Sequence, residues 1–109
     1  MPCKYYYLFI KEGDASVNVL QLKKHCERLS TEAEDQDERN AYREIAEHIQ
    51  EHRPEKNGLI LDLAYKARDY ERRAGEVRQA APLSMVADRL LTKARICKAM
   101  VKHLGGLQI

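Results

Sequence analysis

Residues 60–104 read ILDLAYKARDYERRAGEVRQAAPLSMVADRLLTKARICKAMVKHL, and the rhythm of this stretch decides the fold. Ile60, Leu63, Ala67, Tyr70, Ala74, Val77 and Ala81 recur at alternating spacings of three and four. That is the repeat of one α-helical face and of a heptad seam. Pro82 ends the pattern, because its ring cannot continue the helical hydrogen-bond ladder. Ser84 can cap a following helix whose apolar face comprises Leu83, Val86, Leu90, Ala94, Cys97, Val101 and Leu104. Gly105-Gly106 then supplies the left-handed residue that stops it. Two helices joined by so short a link form an antiparallel hairpin over residues 56–104. Gly75 costs about 1 kcal/mol relative to alanine inside a helix, and with Ala67, Ala74 and Ala81 it lets another helix approach closely.

Upstream of this hairpin, Asn57-Gly58 reads as a loop, and Pro54 disfavours an α conformation at Arg53. A helix therefore ends by Arg53. Its apolar face is Ala41, Tyr42, Ile45, Ala46 and Ile49, and Glu32, Glu34, Asp35, Asp37 and Glu38 crowd its beginning, where the helix dipole favours negative charge. Thr31 and Glu34 have the spacing of a capping box that would open it. Before it, Val19, Leu22, Cys26 and Leu29 share a face of a first helix, with Asp14 or Ser16 as N-cap. No Gly or Pro lies between residues 30 and 38, so one continuous helix also fits.

Residues 4–11, KYYYLFIK, have high strand propensity and are closed by the turn-like Glu12-Gly13-Asp14. A lone strand needs a partner for its backbone groups, either the tail at residues 105–109 or a second molecule. The expectation is thus a mainly α protein, a small antiparallel bundle of three to four helices with a short N-terminal β-strand. One domain spans residues 1–109: strand at 1–13, helices 1 and 2 at 14–53, helical hairpin at 56–104, tail at 105–109.

The 109 residues are 44% hydrophobic and 33% charged, enough for one core and too polar for a bilayer. The apolar run from Tyr5 to Ile10 ends at Lys11 without a small-residue cleavage site, which does not fit a signal peptide. The three cysteines, Cys3, Cys26 and Cys97, are far apart and odd in number, which suits a reducing cytoplasm better than a disulfide framework. The net charge of +2 divides unevenly: residues 1–54 carry 8 basic and 11 acidic groups, and residues 55–109 carry 11 basic and 6 acidic groups. On the last helix the cations flank the apolar stripe, an arrangement in which long side chains meet acids on neighbouring helices.

Candidate chemistry is sparse. His48-Ile49-Gln50-Glu51-His52 matches the H-x-x-E-H string of inverted zinc peptidases, and His48 and His52 share a helix face as a metal would require. The same pair sits in the last turn of a helix, where histidine is favoured by the dipole alone. His25 and Cys26 point in different directions, as do Cys97 and His103, so neither pair makes a nucleophile and base. No phosphate-cradling glycine loop or nucleophile elbow is present, and neither catalysis nor a cofactor is expected.

Two surfaces stand out. In a strand, Tyr5, Tyr7 and Phe9 face one way and Tyr6, Leu8 and Ile10 the other, so both faces are apolar or aromatic. Tyr5, Tyr6, Tyr7 and Phe9 are the expected protein-partner contacts. Arg68, Arg72 and Arg73, beside Tyr65 and Tyr70, form an alternative phosphate-contacting patch for nucleic acid or a nucleotide. The expected function is a small helical protein–protein interaction or regulatory module, acting as a homo-oligomer or on a larger complex. Short phage and mobile-element inhibitors have this format.

Overall fold

The computed structural model describes residues 17–106, and the aromatic segment at residues 4–11, with Tyr5, Tyr6, Tyr7 and Phe9, lies outside them, as do residues 107–109. The described residues form four helices and no strand: α1 (Val19–Glu32), α2 (Gln36–His52), α3 (Lys56–Ala80) and α4 (Val86–His103). α1 packs on α2, α3 packs on α4, and α2 also packs on α4, which joins the two hairpins.

Capping chemistry explains where each helix begins. α1 starts from Asn18, two residues after the expected Ser16 and four after Asp14: the Asn18 side chain accepts from the Gln21 N–H at 2.8 Å, and the Gln21 side chain accepts from the Asn18 N–H at 2.9 Å. This reciprocal capping box satisfies two of the amides that a helix start leaves without intrahelical partners. The expected Thr31–Glu34 box does not form, because the Thr31 hydroxyl donates to the Arg28 carbonyl within α1. α1 and α2 are nonetheless separate. The chain turns extended at Ala33, and Asp35 caps α2 by accepting from the Glu38 N–H.

α2 ends at Arg53, which takes a left-handed conformation with φ 45° directly before Pro54. The loop expected at Asn57-Gly58 is absent. Both residues lie in the first turn of α3, whose amides need no intrahelical carbonyl, so a glycine is tolerated there. Between α3 and α4 the link is short as expected, and Ser84 does accept from the Val86 N–H at 3.1 Å. α4 closes with the Gly105 N–H donating to the Lys102 carbonyl and the Gly106 N–H to the Val101 carbonyl, both at 2.9 Å. With Gly105 at φ 86°, this is a Schellman motif. The Val17 N–H donates to the His103 carbonyl at 3.0 Å, tying the start of α1 to the end of α4.

One continuous core draws on all four helices: Leu22 and Cys26, Ile45 and Ile49, Leu59 and Leu63, and Ile96, Met100 and Leu104 are all buried. Along α3, Leu63, Ala67 and Ala74 are buried, and Ile60 and Tyr70 pack against the core, as the seam predicts, but Val77 is only half-buried and Ala81 is exposed past the helix end. Two further expectations fail. Leu83 and Val86 do not extend the buried face of α4: Leu83 is 97% exposed and Val86 45%. Ala87, between Val86 and Arg89, is nonetheless buried, so the buried face of α4 starts there, near the Asp37–Arg89 pair at 3.7 Å that links α4 to the first turn of α2. Gly75 likewise lies on the open side of α3, with nothing within 4 Å of the Cβ it lacks. The close approach of α3 and α4 rests on alanines instead, with Ala74, Ala87 and Ala94 all 1% exposed.

The two glycine environments predict opposite outcomes. Gly75→Ala should raise unfolding stability by about 0.5 to 1 kcal/mol, since it adds helix propensity and meets no atom. Gly105→Ala should lower it by about 1 kcal/mol, since alanine resists positive φ. Urea denaturation of both variants measures the difference.

Candidate interaction surface

Of the arginines expected to contact phosphate, Arg72 and Arg73 are engaged within α3. Arg72 reaches Asp69 and Glu76, each at 2.7 Å, and Arg73 reaches Asp69 at 3.1 Å while lying 5.6 Å from the centre of the Tyr70 ring. The Arg72 hydrogen bond, then the Arg73 one, hold the Asp69 carboxyl below the usual carboxylate range. Arg68 is exposed and makes no ion pair among the described residues. Much of the remaining basic charge is also spoken for. From α4, Arg95 meets Glu38 at 2.7 Å and Lys93 meets Glu44 at 2.9 Å on α2, and Lys98 meets Glu71 at 2.6 Å on α3. Such half-exposed pairs contribute about 0 to 1 kcal/mol each, yet they account for the opposite charges of the two halves within one chain.

His48 and His52 stack with ring centres 4.6 Å apart. His48 Nε2 lies 3.3 Å from an Asp62 carboxylate oxygen, and His52 is exposed. Among the described residues no group of three or more His, Cys, Asp or Glu side chains is arranged to hold a metal ion. Cys26 and Cys97 are buried, with Cys26 Sγ 3.7 Å from Met100 Sδ. Burial pushes the Cys26 thiol up to about 12 and the Cys97 thiol up to about 11, so both remain protonated and unreactive at neutral pH.

The outward side of α3 carries the feature that sequence reasoning missed. Leu61 is 70% exposed and Tyr65 74%, and with Arg68 and Arg72 they continue at spacings of four, three and four along one stripe. Tyr65 also forms the lip of an open cleft of about 670 Å³ between the end of α2 and α3, with His48, His52, Asp62, Tyr70 and Arg73 in its lining. A signal for this surface was present: Leu59-Ile60-Leu61 are consecutive, and three successive positions sweep about 200° around a helix, so they cannot all face one core. Leu59 is fully buried, Ile60 half-buried, and Leu61 is left outside. A second exposed apolar group, Leu83, Met85 and Val86, caps the tip of the α3–α4 hairpin. No helix among the described residues is long and apolar enough to cross a membrane.

The thiol environments predict that Cys26 and Cys97 resist iodoacetamide in the native protein at about pH 8 and react fully once it is unfolded in guanidinium. Peptide mass mapping reads both sites. Rapid native labelling of either one would contradict the buried placement.

Comparison with protein-family models, with curated proteins and with solved structures found no match, so the chain's chemistry rests on its own residues.

Proposed function

We propose that this chain is a helical protein–protein interaction module that binds through the outer face of α3. One observation carries the reading: Leu61 and Tyr65 stand side by side in solvent, flanked by Arg68 and Arg72. An exposed apolar and aromatic centre beside guanidinium groups has the composition of an interface hot spot, where Tyr and Arg are enriched. The non-enzymatic role is read from the sequence alone; the buried, protonated thiols bear only on cysteine as a nucleophile. The aromatic residues Tyr5, Tyr6, Tyr7 and Phe9 are a second proposed contact, supported by sequence alone. The size suits a regulator of a larger complex or a self-associating protein.

Binding of nucleic acid is the weaker reading, because Arg72 and Arg73 and the α4 cations at 93, 95 and 98 already face carboxylates. The two readings separate experimentally. Leu61→Ser with Tyr65→Ser should leave helical circular dichroism unchanged and abolish self-association or partner retention. A folded double variant that keeps every wild-type association would remove this face from consideration. Arg68→Ala with Arg72→Ala should hardly alter retention on a phosphate-rich matrix; a large, salt-dependent loss would favour nucleic acid instead.

A further inference from the structure

Away from the α3 face, which contributes nothing to its lining, an open cleft of about 430 Å³ lies between α1 and the end of α4. Its lining includes Gln21, Lys24, His25, Arg28 and His103, and among the described residues no acidic side chain. Many cations elsewhere on the described surface, those at 72, 73, 78, 89, 93, 95 and 98 among them, face carboxylates, whereas in this lining only Arg28 does, through Glu32 at 3.5 Å. The first turn of α1 also carries no acid, whereas α2 has Asp37 and Glu38 at the same place. Among the described residues no charged side chain offsets the positive dipole end of α1, which the Asn18–Gln21 capping box serves with neutral groups.

The geometry within the cleft is specific. The rings of His25 and His103 lie 5.1 Å apart. Arg28 Nη2 is 3.0 Å from His25 Nδ1. A guanidinium has no acceptor atom, so Nδ1 must accept and His25 is the neutral tautomer with its proton on Nε2. Burial, then His103 and then Arg28, hold the His25 pKa below its ordinary value. The groups bearing on it are Arg28 from α1 and His103 from α4. Arg28 is anchored on its far side by Glu32, at 3.5 Å from Nε, and Lys24 makes no ion pair among the described residues.

We propose that this cleft binds a small phosphate-class oxyanion, with Lys24, Arg28 and protonated His25 as its donors and the His103 ring beside them. A tetrahedral dianion in the cleft displaces the 3.0 Å Arg28–His25 hydrogen bond and accepts from the guanidinium and from a protonated Nδ1, replacing one bond to a neutral acceptor with two charge-assisted ones. Binding is then coupled to proton uptake: occupancy raises the His25 pKa, and affinity rises as pH falls through the histidine range. The site shares no residue with the α3 face, so it stands or falls separately from the interaction reading.

Sulfate is a suitable first probe because its charge is constant across that range, and inorganic pyrophosphate is a second. The readout is the imidazole C–H resonances of the full chain by NMR at constant ionic strength, with His48 and His52 as internal references. Saturable shifts confined to His25 and His103, with affinity at about pH 6 at least several-fold above that at about pH 8, are expected for sulfate. Pyrophosphate should give saturable shifts at the same two rings. Lys24→Ala with Arg28→Ala, both exposed positions, should weaken binding by about tenfold or more without loss of helicity. Equal shifts at all four histidines, or undiminished binding by the double variant, would overturn the proposal.

Discussion

The burial of α4 is the constraint on which the remaining structure depends. Its inward side chains cover a wider arc than one partner could occupy, because α3, α2 and α1 all meet it: Met100 lies against Cys26 of α1, while Ile96, Cys97 and Val101 enter the same core. Ile96, Met100 and Leu104 are each no more than 2% exposed. Full burial of such side chains is worth about 1.5 to 3 kcal/mol apiece. The ends of α4 are held as well, by Ser84 at the start and by the two glycine amides and the Val17 amide at the finish. The short hairpin α1–α2 thus closes on a helix that is already clamped to α3.

How much of this was legible follows from what a hydrophobic rhythm reports. It shows which residues share a face, and so Leu63, Ala67 and Ala74 on α3, and Ala94, Cys97, Val101 and Leu104 on α4, are buried as their spacing implies. It does not report how far a partner helix extends. Leu83 and Val86 sit on the continuation of the stripe yet stay in solvent, while the adjacent Ala87 is buried. Nor does a seam for one partner reveal a helix with three, which is why Ile96 and Met100 were not singled out. Gly75 and the Asn57-Gly58 pair show a further limit: glycine permits bends and close contacts without requiring them, and here all three residues are simply helical.

The surface was legible in charge more than in shape. Cations flanking the stripe of α4 were expected to meet acids on neighbours, and Lys93, Arg95 and Lys98 do so. The same pairing weakens the arginine patch as a phosphate site, since only Arg68 of its three members is open. The consecutive Leu59-Ile60-Leu61 signalled that one apolar side chain must face outward beside Tyr65, but which one needed coordinates. The histidine cleft needed them entirely, because it joins residues of ordinary one-dimensional pattern and unites α1 with α4 across nearly the whole chain. A solvated cation and an unsatisfied one look alike in sequence, and only their neighbours distinguish them.

The claim that α4 unites both hairpins in one cooperative core is tested most directly by the chemical unfolding of Ile96→Ala, followed by far-ultraviolet circular dichroism. Removing this fully buried side chain should leave a single transition and lower stability by about 2 to 5 kcal/mol. A loss of under about 1 kcal/mol, or two separate transitions in the wild-type protein with one hairpin melting alone, would contradict it.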